Sequence, residues 1–167
     1  MPDHEPAFRT QVLQHYRACY AASGWTENAV YPGIRELLIA LQKRGVALYL
    51  CTSKRDDFTR RILDHFALTP FFTGIIADHG ASETHDKADL LTELLEEHRI
   101  ERASSVMIGD REFDVLAARS VGLPAVAVLY GFGAAGELAA AQPDVTCASV
   151  ADLTEFLLTR TPQRDAS

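Results

Sequence analysis

From Val46 to Cys51 the chain reads Val-Ala-Leu-Tyr-Leu-Cys, six apolar residues in succession. A strand with one wet face alternates apolar and polar positions. An unbroken apolar run belongs to a strand covered on both faces, as in a parallel sheet. Shorter apolar runs follow near 74–77, 105–108 and 125–130, with a possible last one at 145–148. Helical patterns near 56–67, 87–98, 112–121, 134–141 and 150–159 separate them. Strands joined by single helices require right-handed crossovers, so the expected fold class is α/β with a doubly wound parallel sheet. Such sheets bind their ligands at the carboxyl ends of the strands.

Two further helices precede this series. Phe8, Val12, Leu13, Tyr16, Cys19 and Tyr20 recur at spacings of three and four between Pro6 and Ser23, which predicts an amphipathic helix. Pro32 suits a first helical turn, and Ile34, Leu37, Leu38 and Leu41 carry a second helix to a stop at Gly45. Residues 161–167 read as a loose tail.

At about 150 residues per domain, 167 residues predict one compact domain. No stretch approaches the roughly 18–20 apolar residues of a spanning helix, and the opening Met1–Pro6 has no basic region followed by an apolar run. A cytoplasmic protein is expected. Sixteen basic against 23 acidic residues give a net charge of −7, which repels a phosphate backbone and argues against nucleic acid as a partner. Cys19, Cys51 and Cys147 are odd in number and widely spaced. They suit thiols in a reducing compartment better than a disulfide framework.

Four places can carry chemistry. Thr52-Ser53-Lys54 ends the first strand, where two hydroxyls, a cation and the amides of the next helix suit an anion; a plain N-cap is the alternative. Gly109-Asp110-Arg111-Glu112-Phe113-Asp114 brackets the turn from the third strand. Gly109 permits a sharp turn, and carboxylates four apart on a first helical turn share a face, so Asp110 and Asp114 can serve a hard cation such as Mg²⁺. An acidic helix start complementing the dipole, with Arg111 as a neutralising neighbour, fits the same residues. Lys87 stands at a predicted helix start, where the macrodipole disfavours a cation unless an anion accompanies it; a solvated lysine is the alternative. Gly131-Phe132-Gly133-Ala134-Ala135-Gly136 spells the dinucleotide fingerprint, with Asp152 downstream as its acidic residue. Against this, Pro143-Asp144 cuts the following helix to about two turns, which favours a glycine-rich turn after the strand.

In chain order, Thr52 after a buried strand, Lys87 at a helix start and Gly109-Asp110-Arg111-x-x-Asp114 resemble motifs two, three and four of the haloacid dehalogenase superfamily of phosphatases. The phrases Tyr31-Pro32-Gly33-Ile34, Cys51-Thr52-Ser53-Lys54, Ile62-Leu63-Asp64-His65-Phe66 and Met107-Ile108-Gly109-Asp110-Arg111 resemble its phosphoglycolate phosphatase branch, including 5'-nucleotidase-like members. The resemblance covers residues from about 8 to 158. It implies a Rossmannoid core and a Mg²⁺-dependent phosphomonoesterase in which an aspartate attacks phosphorus and water releases the aspartyl-phosphate. By position, Thr52 and Ser53 would bind the phosphoryl group and Lys87 would neutralise charge. Asp110 would ligate Mg²⁺ and Asp114 would support that ligand shell, with Gly109 and Arg111 beside them. The implied substrate is a small phosphorylated metabolite, phosphoglycolate or a nucleoside 5'-monophosphate.

The family's first motif, a strand ending in Asp-x-Asp that supplies the nucleophile, has no counterpart, because no Asp-x-Asp occurs in the chain. The family places that strand centrally, between those represented here by 46–51 and 105–108. The expectation is a truncated protein. Residues 1–31 would be a remnant of the helical cap, 32–160 the α/β core and 161–167 a tail. No residue of the chain would be the nucleophile, and activity alone would be weak or absent. An open central position invites a homodimer or a strand-donating partner. A non-catalytic phosphate- and Mg²⁺-binding module and a dinucleotide-binding protein are the alternatives.

Overall fold

A computed structural model of the chain describes residues 27–79 and 86–161, together with 8, 11 and 12. The predicted first helix lies outside the described residues, except for 8, 11 and 12, which are helical. The ordered elements are α1 (Ile34–Lys43), β1 (Tyr49–Arg55), α2 (Asp56–His65), β2 (Gly74–Asp78), α3 (Lys87–Glu97), β3 (Met107–Gly109), α4 (Glu112–Ser120), β4 (Ala125–Val128), α5 (Ala135–Ala141), β5 (Val145–Cys147) and α6 (Val150–Arg160). Two short 3-10 turns, Thr69–Phe71 and Arg102–Ser104, lead into β2 and β3.

All strand pairs are parallel, as the unbroken apolar runs require. β4 shows why helices cover both faces. Ala125 and Ala127 join the cluster formed by Leu90, Leu91, Leu94 and Leu95 of α3 with Val115, Ala117 and Ala118 of α4. Val126 and Val128 point the other way, into a cluster with Leu37 and Leu41 of α1 and Leu153 and Leu157 of α6. The period-two alternation of a strand thus feeds two cores at once. On the second face Arg44 ties α1 to α6, donating to the backbone carbonyls of Leu158 and Thr161.

The sheet is divided. β1 pairs with β2, and β3–β4–β5 form a separate ladder. Among the described residues no ladder joins β1 to β3, so these two strands do not close directly on each other. Each keeps one edge with no ladder partner among the described residues, leaving a gap between the two ladders. Val106, just before β3, and Ile108 within it are exposed, whereas Met107 packs on the core and β4 is buried along its length.

The first strand begins later and ends later than the apolar run predicts. Val46 is still tied to the end of α1, its amide donating to the Leu41 carbonyl at 3.1 Å. At the other end a bulge between Thr52 and Arg55 lets Arg55 pair with Asp78. Thr52, Ser53 and Lys54 therefore lie on the strand tip. The N-cap of α2 is Arg55, with no side-chain cap, so neither Thr52 nor Ser53 closes that helix.

Candidate functional site

The polar residues singled out in the sequence collect at the carboxyl ends of β1 and β3, on the two sides of the gap. Thr52 sits at the tip of β1 and its Oγ1 accepts the Lys54 amide at 3.1 Å. This turn-like bond orients the hydroxyl while leaving its proton available to an external acceptor. Ser53 and Lys54 follow, both exposed.

Lys87 is the first residue of α3. Its Nζ donates to the Cys51 carbonyl at 2.7 Å and pairs with Asp114 Oδ1 at 3.2 Å. Both partners of the ion pair are only 12% exposed at the side chain. The ammonium thus reaches from the α3 start to the backbone of β1 and to α4, joining the two halves of the divided sheet. A solvated surface lysine is excluded by that geometry. The position of Lys87 at a helix start is offset by Asp86, whose side chain caps α3 through the Ala88 amide at 3.4 Å. Burial pushes the Cys51 thiol up from its ordinary value, with the Lys87 cation opposing the shift.

Across the gap, β3 ends at Gly109 and Asp114 folds back beneath the turn. Its Oδ2 accepts the amides of Asp110 and Arg111, both at 3.1 Å. With Oδ1 on Lys87, both oxygens of this buried carboxylate are committed. Gly109 does not adopt positive φ. Glycine is needed there for space, since a Cβ would overlap the Asp114 carboxyl group. Asp110 is held differently: its Oδ2 accepts the Phe132 amide at 2.7 Å. Its Oδ1 accepts no hydrogen bond among the described residues, which leaves one hard oxygen donor at the strand tip.

Arg111 points away from this group. Its Nε donates to Glu137 at 2.8 Å, and the same carboxylate accepts the Glu112 amide at 3.1 Å. The Arg111 bond holds the Glu137 carboxyl below its ordinary value. Glu137 carries no local sequence signal as a site residue, because its partners lie 25 and 26 positions upstream. Asp152, noted above as the acidic residue downstream of the fingerprint, caps its own helix instead: its Oδ2 accepts the amides of Ala148 and Ser149 at 3.0 Å, and Ser149 Oγ accepts the Asp152 amide.

Among the described residues no group of three or more His, Cys, Asp or Glu side chains converges as a ready metal cluster. The carboxylate chemistry nevertheless fits a hard cation, with Asp110 Oδ1 as the available donor and Asp114 as the residue holding its turn. No helix among the described residues is long and apolar enough to cross a membrane.

A parallel α/β sheet in two ladders, with a hydroxyl, a part-buried lysine and two aspartates near the carboxyl ends of its strands, is a Rossmannoid core. The chain belongs to the haloacid dehalogenase-like hydrolase family, whose model matches residues 3–128. It is 40% identical over 148 residues to a 5'-nucleotidase of Pseudomonas aeruginosa, an alignment covering 88% of this chain and 66% of that protein. A phosphoglycolate phosphatase of Vibrio vulnificus is 27% identical over 157 residues, 94% of this chain and 69% of the relative. Among solved structures, a predicted phosphatase from Clostridium acetobutylicum superposes with a TM-score of 0.87 at 35% identity, over 93% of this chain and 72% of that one. The chain therefore spans about two thirds of the length of these two curated relatives.

Proposed function

We propose that this chain carries the phosphate- and Mg²⁺-binding side of a phosphomonoesterase site acting on small phosphorylated metabolites, phosphoglycolate or a nucleoside 5'-monophosphate. The observation that carries the reading is the part-buried Lys87, held by the Cys51 carbonyl near the end of β1 and by Asp114 in the first turn of α4 after β3. A cation so placed, bonded to the carbonyl of the residue before Thr52, suits a phosphoryl group. Thr52 and Ser53 donate hydrogen bonds to the phosphoryl oxygens and Lys87 offsets their charge. Asp110 ligates the metal through Oδ1, and Asp114 keeps both the turn and the ammonium in place. Mg²⁺, when bound, supplies further neutralisation of the phosphoryl oxygens.

The reading takes 32–160 as the α/β core and includes one further parallel strand between β1 and β3. That strand would bring the attacking carboxylate, since the chain has no Asp-x-Asp of its own. The free thiols Cys51 and Cys147 are in keeping with a reducing cytoplasm. The test measures Mg²⁺-dependent phosphate release from phosphoglycolate and a 5'-nucleotide, together with binding of inorganic phosphate by ³¹P NMR. Expected are little or no release by the chain alone, and Mg²⁺-dependent phosphate binding that Asp110→Asn and Lys87→Met remove. Failure to bind phosphate sinks the site. Efficient release that Asp110→Asn abolishes keeps the site but overturns the missing-nucleophile part.

A further inference from the structure

The glycines of Gly131-Phe132-Gly133-Ala134-Ala135-Gly136 are unequal. Neither Gly131 nor Gly133 adopts positive φ, so backbone freedom does not explain them. Space does. A Cβ at Gly131 would overlap the Asp110 Cβ and Oδ2, and one at Gly133 would overlap the Asp110 backbone carbonyl oxygen. Gly136 has nothing within 4 Å of its would-be Cβ. The two glycines let the loop after β4 press its backbone onto Asp110, and the Phe132 amide between them donates to Asp110 Oδ2 at 2.7 Å. On the far side of the loop, Glu137 of α5 binds the Arg111 side chain and the Glu112 amide, the two residues following Asp110. The loop is therefore pinned to the Asp110 turn at two points.

We propose that Gly131-Phe132-Gly133 is the positioning element of Asp110: by occupying Oδ2 with a backbone donor it fixes the carboxylate rotamer and reserves Oδ1 for a divalent cation. This rests on the reading of Asp110 as the cation ligand. An aspartate that accepts no such bond turns freely about its terminal torsion and loses that freedom only on binding metal; here the loop has already restricted it. The motif thus works through protein-to-protein packing, without a nucleotide, and Phe132 acts through its amide, the residue being 90% exposed.

The probe is Mn²⁺, followed by water-proton relaxation in the full chain, alongside the ¹⁵N–¹H resonance of Phe132. A downfield Phe132 amide proton is expected, moved upfield by Asp110→Asn. Gly131→Ala, which meets mainly the Asp110 side chain, should move the same resonance and weaken Mn²⁺ binding at least tenfold. Gly133→Ala should do so more strongly, with some loss of Tm. Gly136→Ala should leave both readouts unchanged. Wild-type Mn²⁺ binding lost in Asp110→Asn but kept in both Gly131→Ala and Gly133→Ala overturns the positioning role. A Phe132 amide indifferent to Asp110→Asn does the same. No Mn²⁺ binding by the wild-type chain overturns the cation site itself, and the Phe132 resonance then still decides whether the loop holds Asp110.

Discussion

Replacing Lys87 with methionine keeps the apolar stem and removes the ammonium that joins β1, α3 and α4. The substitution deletes a 2.7 Å bond to the Cys51 carbonyl and the 3.2 Å pair with Asp114. Asp114 keeps its two amide donors but loses the cation, at a site where both side chains are 12% exposed. Stranding one partner of a fully buried pair costs about 3–5 kcal/mol, and an unsatisfied carbonyl about 1–3 kcal/mol. Residual exposure at Asp114 lowers the sum, so roughly 2–4 kcal/mol is expected. At about 2–4 °C per kcal/mol for a chain of this size, Tm should fall by roughly 5–15 °C. Urea unfolding of the wild type, Lys87→Met, Asp114→Asn and the double variant gives the pair's own share. A coupling energy of about 1–3 kcal/mol is expected, in the range found for groups in direct contact. Coupling below about 0.5 kcal/mol would refute the reasoning, because the ion pair would then be contributing no more than an exposed one.

Three further outcomes follow from the same contacts. Gly109→Ala should destabilise by about 1–3 kcal/mol through the overlap with Asp114, read by urea denaturation, whereas a neutral result would show that the turn can shift at no cost. Leu90→Ala, at a position 1% exposed between α3, α4 and the sheet, should cost about 2–5 kcal/mol, and a loss under 1 kcal/mol would mean the cluster collapses to refill the space. The Glu137 carboxyl should titrate below the ordinary value of about 4.3 when followed by ¹³C NMR, and return upward in Arg111→Ala. Because its folded value is lowered, any stability it contributes is present above the unfolded value and is lost as pH falls through the folded one. An unchanged midpoint in Arg111→Ala would remove the Arg111 bond as the cause.

Much of this was legible in the chain before folding. The uninterrupted run Val46–Cys51 and the alternation of apolar runs with helical periods dictate parallel strands with helices on both faces, since only that arrangement covers both sides of such strands. The order Thr52, Lys87, Gly109-Asp110, Asp114 places the chemistry at strand tips and helix starts, which the doubly wound topology gathers at one edge. Tertiary structure decided what those residues touch. Sequence spacing left Lys87 open between a solvated lysine and one accompanied by an anion, and only the crossover of α3 brings its Nζ to the Cys51 carbonyl and Asp114. It read Gly109 as a tight turn, where close approach to Asp114 is the reason. It left Gly131–Gly136 between a nucleotide loop and a simple turn, because packing of Gly131 and Gly133 on Asp110, about twenty residues upstream, has no local signature. Glu137 and Asp152 reverse their sequence standing on the same ground: the first joins the Asp110 turn through folding alone, and the second is consumed by its own helix cap. Periodicity is set by each residue's immediate neighbours and so is written locally, whereas the partner of a charge or the space beside a glycine depends on segments that meet only when the sheet is assembled.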